Sequence, residues 1–252
     1  MASGGITQYS PSEIEGIRSN GRLLSRILDE VVRLVRPGVT TAELDRVARS
    51  LIEEAGAKPA FPEVRGYPAT LCTSINEEVV HGVPSERRVL REGDIISIDC
   101  GLSKAGLYAD KAVTVPVGKI SPEAQRLIDV TRAALDAAIA AVREGMRLGD
   151  VCAAIQRTAE AAGMSVVRDY TGHGIGHRLH EPPQIPNRGT PGQGAKLKRG
   201  MALALEPMVN FGTWQVKTLA DNWTVVTLDG RLSGHFEHTV AVARDGANIL
   251  TL

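Results

Sequence analysis

Cysteine is scarce in this 252-residue chain: Cys72, Cys100 and Cys152 are an odd number with no C-x-x-C spacing. That excludes a disulfide framework and a cysteine-built structural zinc site, and it fits a reducing cytoplasm. Net charge is lacking too. Lysine plus arginine number 29 and aspartate plus glutamate 29, so no overall field draws the chain to nucleic acid or to an anionic membrane. The expected partner is a small or neutral molecule. Long apolar runs are also missing: residues 1–10 hold no apolar leader core, and the Ala-rich stretch 133–142 is interrupted by Asp136 and too short to span a bilayer. Neither a targeting segment nor a membrane span is expected.

Several catalytic signatures are absent. No G-x-S-x-G occurs, and no cysteine stands beside a base of its own. Thr171-Gly172-His173-Gly174-Ile175-Gly176-His177 departs from G-x-G-x-x-G, and no helix-forming run follows it, which argues against nucleotide binding. Its glycines are expected to let the backbone crowd against His173, in dihedrals closed to other residues. His180-Glu181 opens like H-E-x-x-H, but Pro182 and Pro183 follow, so the second histidine is missing and a helix is excluded. Water activated by a metal is the remaining route to hydrolysis.

What is present is a globular composition, 43% hydrophobic and 23% charged. Ser10-Pro11-Ser12-Glu13 opens like a capped helix, and Leu24, Ile27, Leu28, Val31, Val32 and Val35 recur at helical spacing up to a stop at Pro37-Gly38. Helices are predicted again over 41–55, 122–143 and 148–162. Residues 95–99 and 107–117 read as strands joined by a turn through Lys104-Ala105-Gly106. The class is mixed α/β.

The second pair of helices echoes the first at a constant offset of 107 residues. The offset pairs Arg36 with Arg143, Gly38 with Gly145, Glu53 with Glu160, Gly56 with Gly163, Leu90 with Leu197 and Gly93 with Gly200. Two unrelated αα-β segments would also yield some chance identities. The same offset, however, sets Asp99 opposite Glu206, each at the end of an apolar run. A duplicated unit ending in a carboxylate brings two ligands to one central site about a pseudo-twofold axis. The expected organisation is a single domain over 1–252, with a short N-terminal segment 1–10 and halves of about 11–118 and 119–252.

Asp99, Asp110, His173, Glu206 and Glu237 stand in chain order inside short apolar stretches, where a charged or polar side chain is costly unless something binds it. Each alone is an ordinary strand-end or loop residue. Together, four carboxylates and one imidazole suit two divalent ions, whose charge they balance and without which they would repel one another.

Taken with their flanks, these residues resemble the type I methionine aminopeptidases. The motifs are Val80-His81-Gly82-Val83-Pro84, Ile98-Asp99, Gly172-His173-Gly174-Ile175-Gly176, His180-Glu181-Pro182-Pro183, Glu206-Pro207-Met208-Val209-Asn210 and Glu237-His238-Thr239. The resemblance implies the pita-bread fold, two pseudo-symmetric halves around a central dimetal site. It implies that Asp99 chelates one metal, that Asp110 and Glu237 bridge both, and that His173 and Glu206 complete the second, with manganese, iron, cobalt or zinc as the ion. A bridging hydroxide would attack the scissile carbonyl, Glu206 would shuttle the proton, His180 would stabilise the oxyanion and His81 would hydrogen-bond the substrate backbone. Phe61, Val64, Tyr67, Cys72, Leu179 and Trp223 would line the methionine pocket. The flanks depart from the common pattern: Ala109 and Lys111 border Asp110, and Val64 and Leu179 replace aromatics often found in the pocket.

The resemblance further implies a cytoplasmic enzyme that excises the N-terminal methionine of nascent polypeptides before a small uncharged residue. A monomer is expected, and any transient ribosome contact would use the globular surface. Two rivals stay open. A prolidase or Xaa-Pro aminopeptidase shares the five ligands but usually carries a further N-terminal domain, and a non-catalytic peptide-binding relative would lack ligands. The type II branch carries a helical insertion for which the 30 residues between Glu206 and Glu237 leave little room.

Overall fold

Ser10 opens α1 (Pro11–Arg33) with a reciprocal cap, its hydroxyl accepting from Glu13 N while Glu13 Oε2 accepts from Ser10 N at 2.8 Å. Thr40 and Glu43 repeat the device at α2 (Thr41–Glu54). The helix predicted to run to Pro37 ends four residues sooner, because the N–H of Leu34 turns back to Val31 and Val32. The computed structural model describes residues 5–64 and 66–252; residues 1–4 of the short N-terminal segment and Arg65 lie outside the described residues.

The first half continues with β1 (Lys58–Pro59), β2 (Leu71–Ile75), β3 (Glu78–Val80), β4 (Ile95–Lys104) and β5 (Leu107–Pro116). The second holds α3 (Pro122–Ala141), α4 (Leu148–Ala161), β6 (Ser165–Val166), β7 (Thr171–Gly174), β8 (Glu181–Pro186), β9 (Ala202–Leu205) and β10 (Met208–Asn210). It ends with β11 (Val216–Thr218), β12 (Val225–Thr227), β13 (Ser233–His235), β14 (His238–Val242) and β15 (Ala247–Ile249).

The 107-residue offset reappears in the hydrogen bonding. Gly38 N donates to Leu90 O at 2.9 Å, and Gly145 N donates to Leu197 O at 2.9 Å. The bridge Thr40↔Val89 is matched by Arg147↔Lys196. Even register repeats: Lys58 faces Ser103 between β1 and β4, and Ser165 faces Asn210 between β6 and β10.

Each half lays its helices on one face of its sheet. Leu24, Ile27, Leu28 and Val31 of α1 and Leu44, Ala48 and Ile52 of α2 bury against Ile96, Ile98, Cys100 and Leu102 of β4. Leu127, Leu135, Val151 and Ile155 of α3 and α4 bury against Leu203, Leu205 and Val240. Antiparallel ladders join β15, β14, β9, β7 and β8 in one sheet and β1, β4, β5 and β2 in another. The sheet faces turned from the helices are what the two halves offer each other.

The chain end closes on its beginning. Leu250 N donates to Thr239 O, and Thr251 Oγ1 accepts from Thr239 N, which lays the C-terminal segment against α1 at Gly21. A Cβ at Gly21 would drive into the carbonyl of Leu250 and lie 3.1 Å from Thr251 Cγ2. Gly21→Ala is therefore expected to destabilise the fold by about 2 kcal/mol, despite the better helix propensity of alanine. Thermal melting should fall by about 4–8 °C; an unchanged or higher Tm would show that this segment yields freely.

Candidate metal centre

Alternation along β4 decides what faces the centre. Because Ile98 and Cys100 turn into the helical core, Asp99 between them turns to the opposite face. In the hairpin with β5, Gly101 stands opposite Asp110 and Asp99 opposite Ala112, so the two aspartates are diagonal neighbours on one face. They lie close enough that the charge of Asp99 helps to hold the Asp110 carboxyl up. Gly101 makes the room, since a Cβ there would meet Phe61 at 3.0 Å and Asp110 Oδ1 at 3.2 Å.

The second half delivers its pair the same way. His238 faces Leu205 across β14 and β9, which leaves Glu206 and Glu237 just beyond the last ladder pair. The halves are stitched at this place: Glu237 N donates to Ala112 O at 2.9 Å, Thr239 Oγ1 donates to Asp110 O at 2.8 Å, and Asp110 N donates to Thr239 Oγ1 at 3.1 Å. Asp110 and Glu237 therefore meet across the junction.

His173 of β7 completes the cluster. Its Nδ1 lies 3.0 Å from Gly174 O; a carbonyl only accepts, so Nδ1 carries the proton and Nε2 presents a lone pair. Nε2 lies 3.4 Å from Glu206 Oε1 and 3.9 Å from Asp110 Oδ2. Asp110, His173 and Glu237 each offer a ligand atom within 4.8 Å of the others, while Asp99 joins through Asp110 and Glu206 through His173. One detail of the glycine loop differs from expectation. Gly172, Gly174 and Gly176 do not adopt positive φ; they are needed for close approach, because a Cβ would strike Ala204 O, Pro182 O and the Tyr9 ring respectively.

Burial governs the electrostatics. Removal from water raises the carboxyl pKa of Asp99 to about 7 and pushes Asp110, Glu206 and Glu237 well up, with mutual repulsion adding to it for the last three. Burial lowers His173 to about 3, and the neighbouring His180 helps. Asp99 Oδ1 and Glu237 Oε1 are buried with no hydrogen-bond partner, and Lys111 turns away to Ser25 Oγ at 3.1 Å. Unpaired buried acceptors beside an imidazole lone pair are a donor set that fits divalent cations.

An apolar side-chain cluster adjoins the carboxylates. Phe61, Val64, Tyr67, Cys72, Leu179 and Trp223 belong to one hydrophobic cluster, with Tyr67 edge-on to Trp223 at 5.1 Å and to Phe61 at 6.2 Å. Cys72 is the register partner of Asp99, so this apolar cluster abuts the carboxylates. The His180 ring lies 4.4 Å from that of His173, and the His81 ring 5.4 Å from that of Tyr170. Burial lowers His81 to about 4, so it is neutral near pH 7.

Three neighbours escaped the sequence reading. Tyr9 OH donates to Glu181 Oε2 at 2.7 Å and accepts from His177 N, while Glu181 Oε1 accepts from Arg178 N at 2.9 Å, stapling the loop that carries His180. Contacts between Tyr9 and residues more than 160 positions away leave no local signal. His235 stands 3.9 Å from Glu206, and its spacing of two from Glu237 was the available clue.

The model of metallopeptidase family M24 matches residues 15–244. A methionine aminopeptidase of Clostridium acetobutylicum is 50% identical over 241 residues, which cover 96% of this chain and 96% of that protein. The crystal structure of a methionine aminopeptidase from Thermotoga maritima superposes with a TM-score of 0.96 at 46% identity, covering 98% of this chain and 99% of that one. A Pyrococcus horikoshii prolidase shares the fold alone, at 19% identity and a TM-score of 0.79, and the chain covers only 63% of it. On these grounds the chain belongs to metallopeptidase family M24, among its type I methionine aminopeptidases.

Proposed function

We propose that this chain removes the N-terminal methionine from nascent proteins and peptides whose second residue is small and uncharged. The observation that carries the reading is the apolar side-chain cluster of Phe61, Tyr67, Cys72 and Leu179 set beside the buried Asp110–His173–Glu237 group, with Cys72 the register partner of Asp99. Asp99, Asp110, His173, Glu206 and Glu237 together would hold two divalent ions, of manganese, iron, cobalt or zinc. When bound, such ions polarise the scissile carbonyl and lower the pKa of water enough for attack at neutral pH.

The remaining work falls to side chains. Glu206 takes the proton from the attacking water and delivers it to the leaving amine. His180, whose ring packs against that of His173, donates to the developing oxyanion, and His81 hydrogen-bonds the substrate backbone beside the scissile amide. Phe61, Val64, Tyr67, Cys72, Leu179 and Trp223 take the thioether side chain, for which soft apolar contacts suffice. The working form is proposed to be a cytoplasmic monomer that meets the ribosome only transiently; its three free, buried thiols fit a reducing compartment.

Turnover of Met-Ala-Ser, Met-Leu-Ser and Ala-Pro-Ala by metal-reconstituted protein tests the reading. Cleavage of Met-Ala-Ser alone is expected; cleavage of Ala-Pro-Ala alone would move the activity to the prolidase side. Within the pocket, Trp223→Ala removes the ring against Tyr67 and should raise KM for Met-Ala-Ser by about tenfold or more, with a smaller change in kcat. An unchanged KM would take Trp223 out of the pocket.

A further inference from the structure

The two carboxylate oxygens of Glu206 face different imidazoles. Oε1 lies 3.4 Å from His173 Nε2 inside the cluster, and Oε2 lies 3.9 Å from His235 Nε2 on the other side. Only His173 belongs to the ligand set given above. His235 is 2% exposed, and its Nε2 is buried without a hydrogen-bond partner. A buried ring nitrogen left unpaired is costly, so its direction toward Glu206 calls for a reason.

The placement of His235 is rigid. Thr114 Oγ1 donates to His235 O at 2.7 Å and accepts from His235 N at 2.9 Å, and Ser97 Oγ lies 2.8 Å from the same hydroxyl. On the other side of β13, His235 pairs with Met208, two residues beyond Glu206. Its ladder partner on β10 and the Thr114 hydroxyl of β5, from the neighbouring sheet, thus fix where the ring can reach. An ionised carboxylate only accepts hydrogen bonds, so the nitrogen facing it is favourable as Nε2–H. The 3.9 Å separation is long for a direct bond and closes by a small rotation of Glu206 or through one bridging water.

We propose that His235 is a positioning residue whose Nε2–H holds Oε2 of Glu206, keeping Oε1 turned into the ligand cluster in the orientation that proton transfer requires. Glutamate has three side-chain rotors, and a general base that samples several of them spends part of its time misaligned. A donor fixed on the neighbouring strand removes that freedom at one oxygen and leaves the other available. His235 touches Glu206 rather than the substrate, so its effect should appear in kcat and in ion affinity while substrate binding is spared.

The inference rests on the assignment of Glu206 made above, and the experiment keeps the two apart. His235→Ala, His235→Gln and His235→Asn are compared with Glu206→Ala, by steady-state turnover of Met-Ala-Ser and by calorimetric titration of the metal-free proteins with Mn2+. Glutamine places an amide N–H2 at about the reach of Nε2, whereas asparagine stops short. His235→Ala should lose about 10- to 100-fold in kcat or Mn2+ affinity with KM little changed. His235→Gln should recover most of that loss and His235→Asn should not. If the alanine variant does not fold, the contrast between glutamine and asparagine carries the test alone. Wild-type values in His235→Ala, or equal behaviour of the glutamine and asparagine variants, would overturn the inference while Glu206→Ala remains inactive. A fully active Glu206→Ala would overturn the assignment of Glu206 and this inference with it.

Discussion

Glu206→Gln is expected to lower kcat for Met-Ala-Ser by ~1000-fold, equivalent to about 4 kcal/mol of transition-state stabilisation. The substitution keeps the volume of the side chain, and the amide N–H2 can donate to the lone pair of His173 Nε2, which lies 3.4 Å from Glu206 Oε1. What it removes is the proton acceptor, together with one of the four negative charges that balance the ions. KM should move little, because Glu206 is not among the apolar residues proposed to take the methionine side chain. Burial raises the Glu206 carboxyl well above the ordinary glutamate range in the metal-free protein, and bound cations favour the charged form in the opposite direction. The residue is thus a base whose strength the ions set, and its neutral isostere cannot substitute. Turnover within tenfold of wild type at full metal loading would remove Glu206 from the proton-transfer role.

Much of this site was legible because the chemistry is repeated and the strands alternate. Asp99 and Glu206 each end an apolar run at the same offset, and the offset survives as matched hydrogen bonds at Gly38 and Gly145 and matched registers at Lys58 and Ser165. Asp110 stands on the strand that the predicted turn folds back onto that of Asp99, and Lys111, next along it, reaches to the opposite face and Ser25 on α1, as strand alternation requires. The pocket residues came from resemblance to a family. Nothing local distinguishes Phe61 or Trp223 from core residues, and only the packed cluster brings them together.

What stayed hidden is whatever the two halves do to each other. The contact that places Asp110 beside Glu237 runs through Thr239 and Ala112, across a separation of 129 residues for Thr239 and Asp110. A threonine in an apolar strand carries no sign of that role. Likewise Tyr9 lies just ahead of the first helix, yet its hydroxyl staples the loop of His180 from 172 residues away. The glycines of that loop are crowded as expected, with neighbours too close for a Cβ, but their dihedrals are open to other residues, which the expectation had closed. Periodicity reports which face a residue takes and is silent on which face it meets.

Metal removal should make stability fall with rising pH, a sign opposite to that of most carboxylate-rich sites. Asp99, Asp110, Glu206 and Glu237 have folded-state pKa values raised by burial, Asp99 to about 7 and the others well above the usual range. The metal-free native state therefore holds protons that the unfolded chain has released, and the free energy of unfolding declines as pH climbs through that interval. His81, His173 and His235 work the other way, being lowered to about 4, 3 and 3. They cost stability only below their unfolded value near 6.5, where the unfolded chain binds protons and the native state does not. Above about pH 7.5 these histidines, and His238, which burial also lowers to about 4, are neutral in both states; the carboxylates then set the slope, and the buried thiols, held up by desolvation, add to it in the same direction. Each proton of difference is worth about 1.4 kcal/mol per pH unit, or roughly 3–5 °C in Tm for a chain of this size. Divalent ions reverse the trend, because they bind the deprotonated cluster and need fewer protons displaced as pH rises. At an ion concentration of about 100 times Kd they add about 2.7 kcal/mol. Melting curves at pH 7.5, 8.0 and 8.5, with EDTA and with Mn2+, should therefore show a gap in Tm that widens at each step. A metal-free Tm that rises over this range, or a gap that stays constant, would mean that the four carboxylates are ionised and otherwise compensated in the empty site.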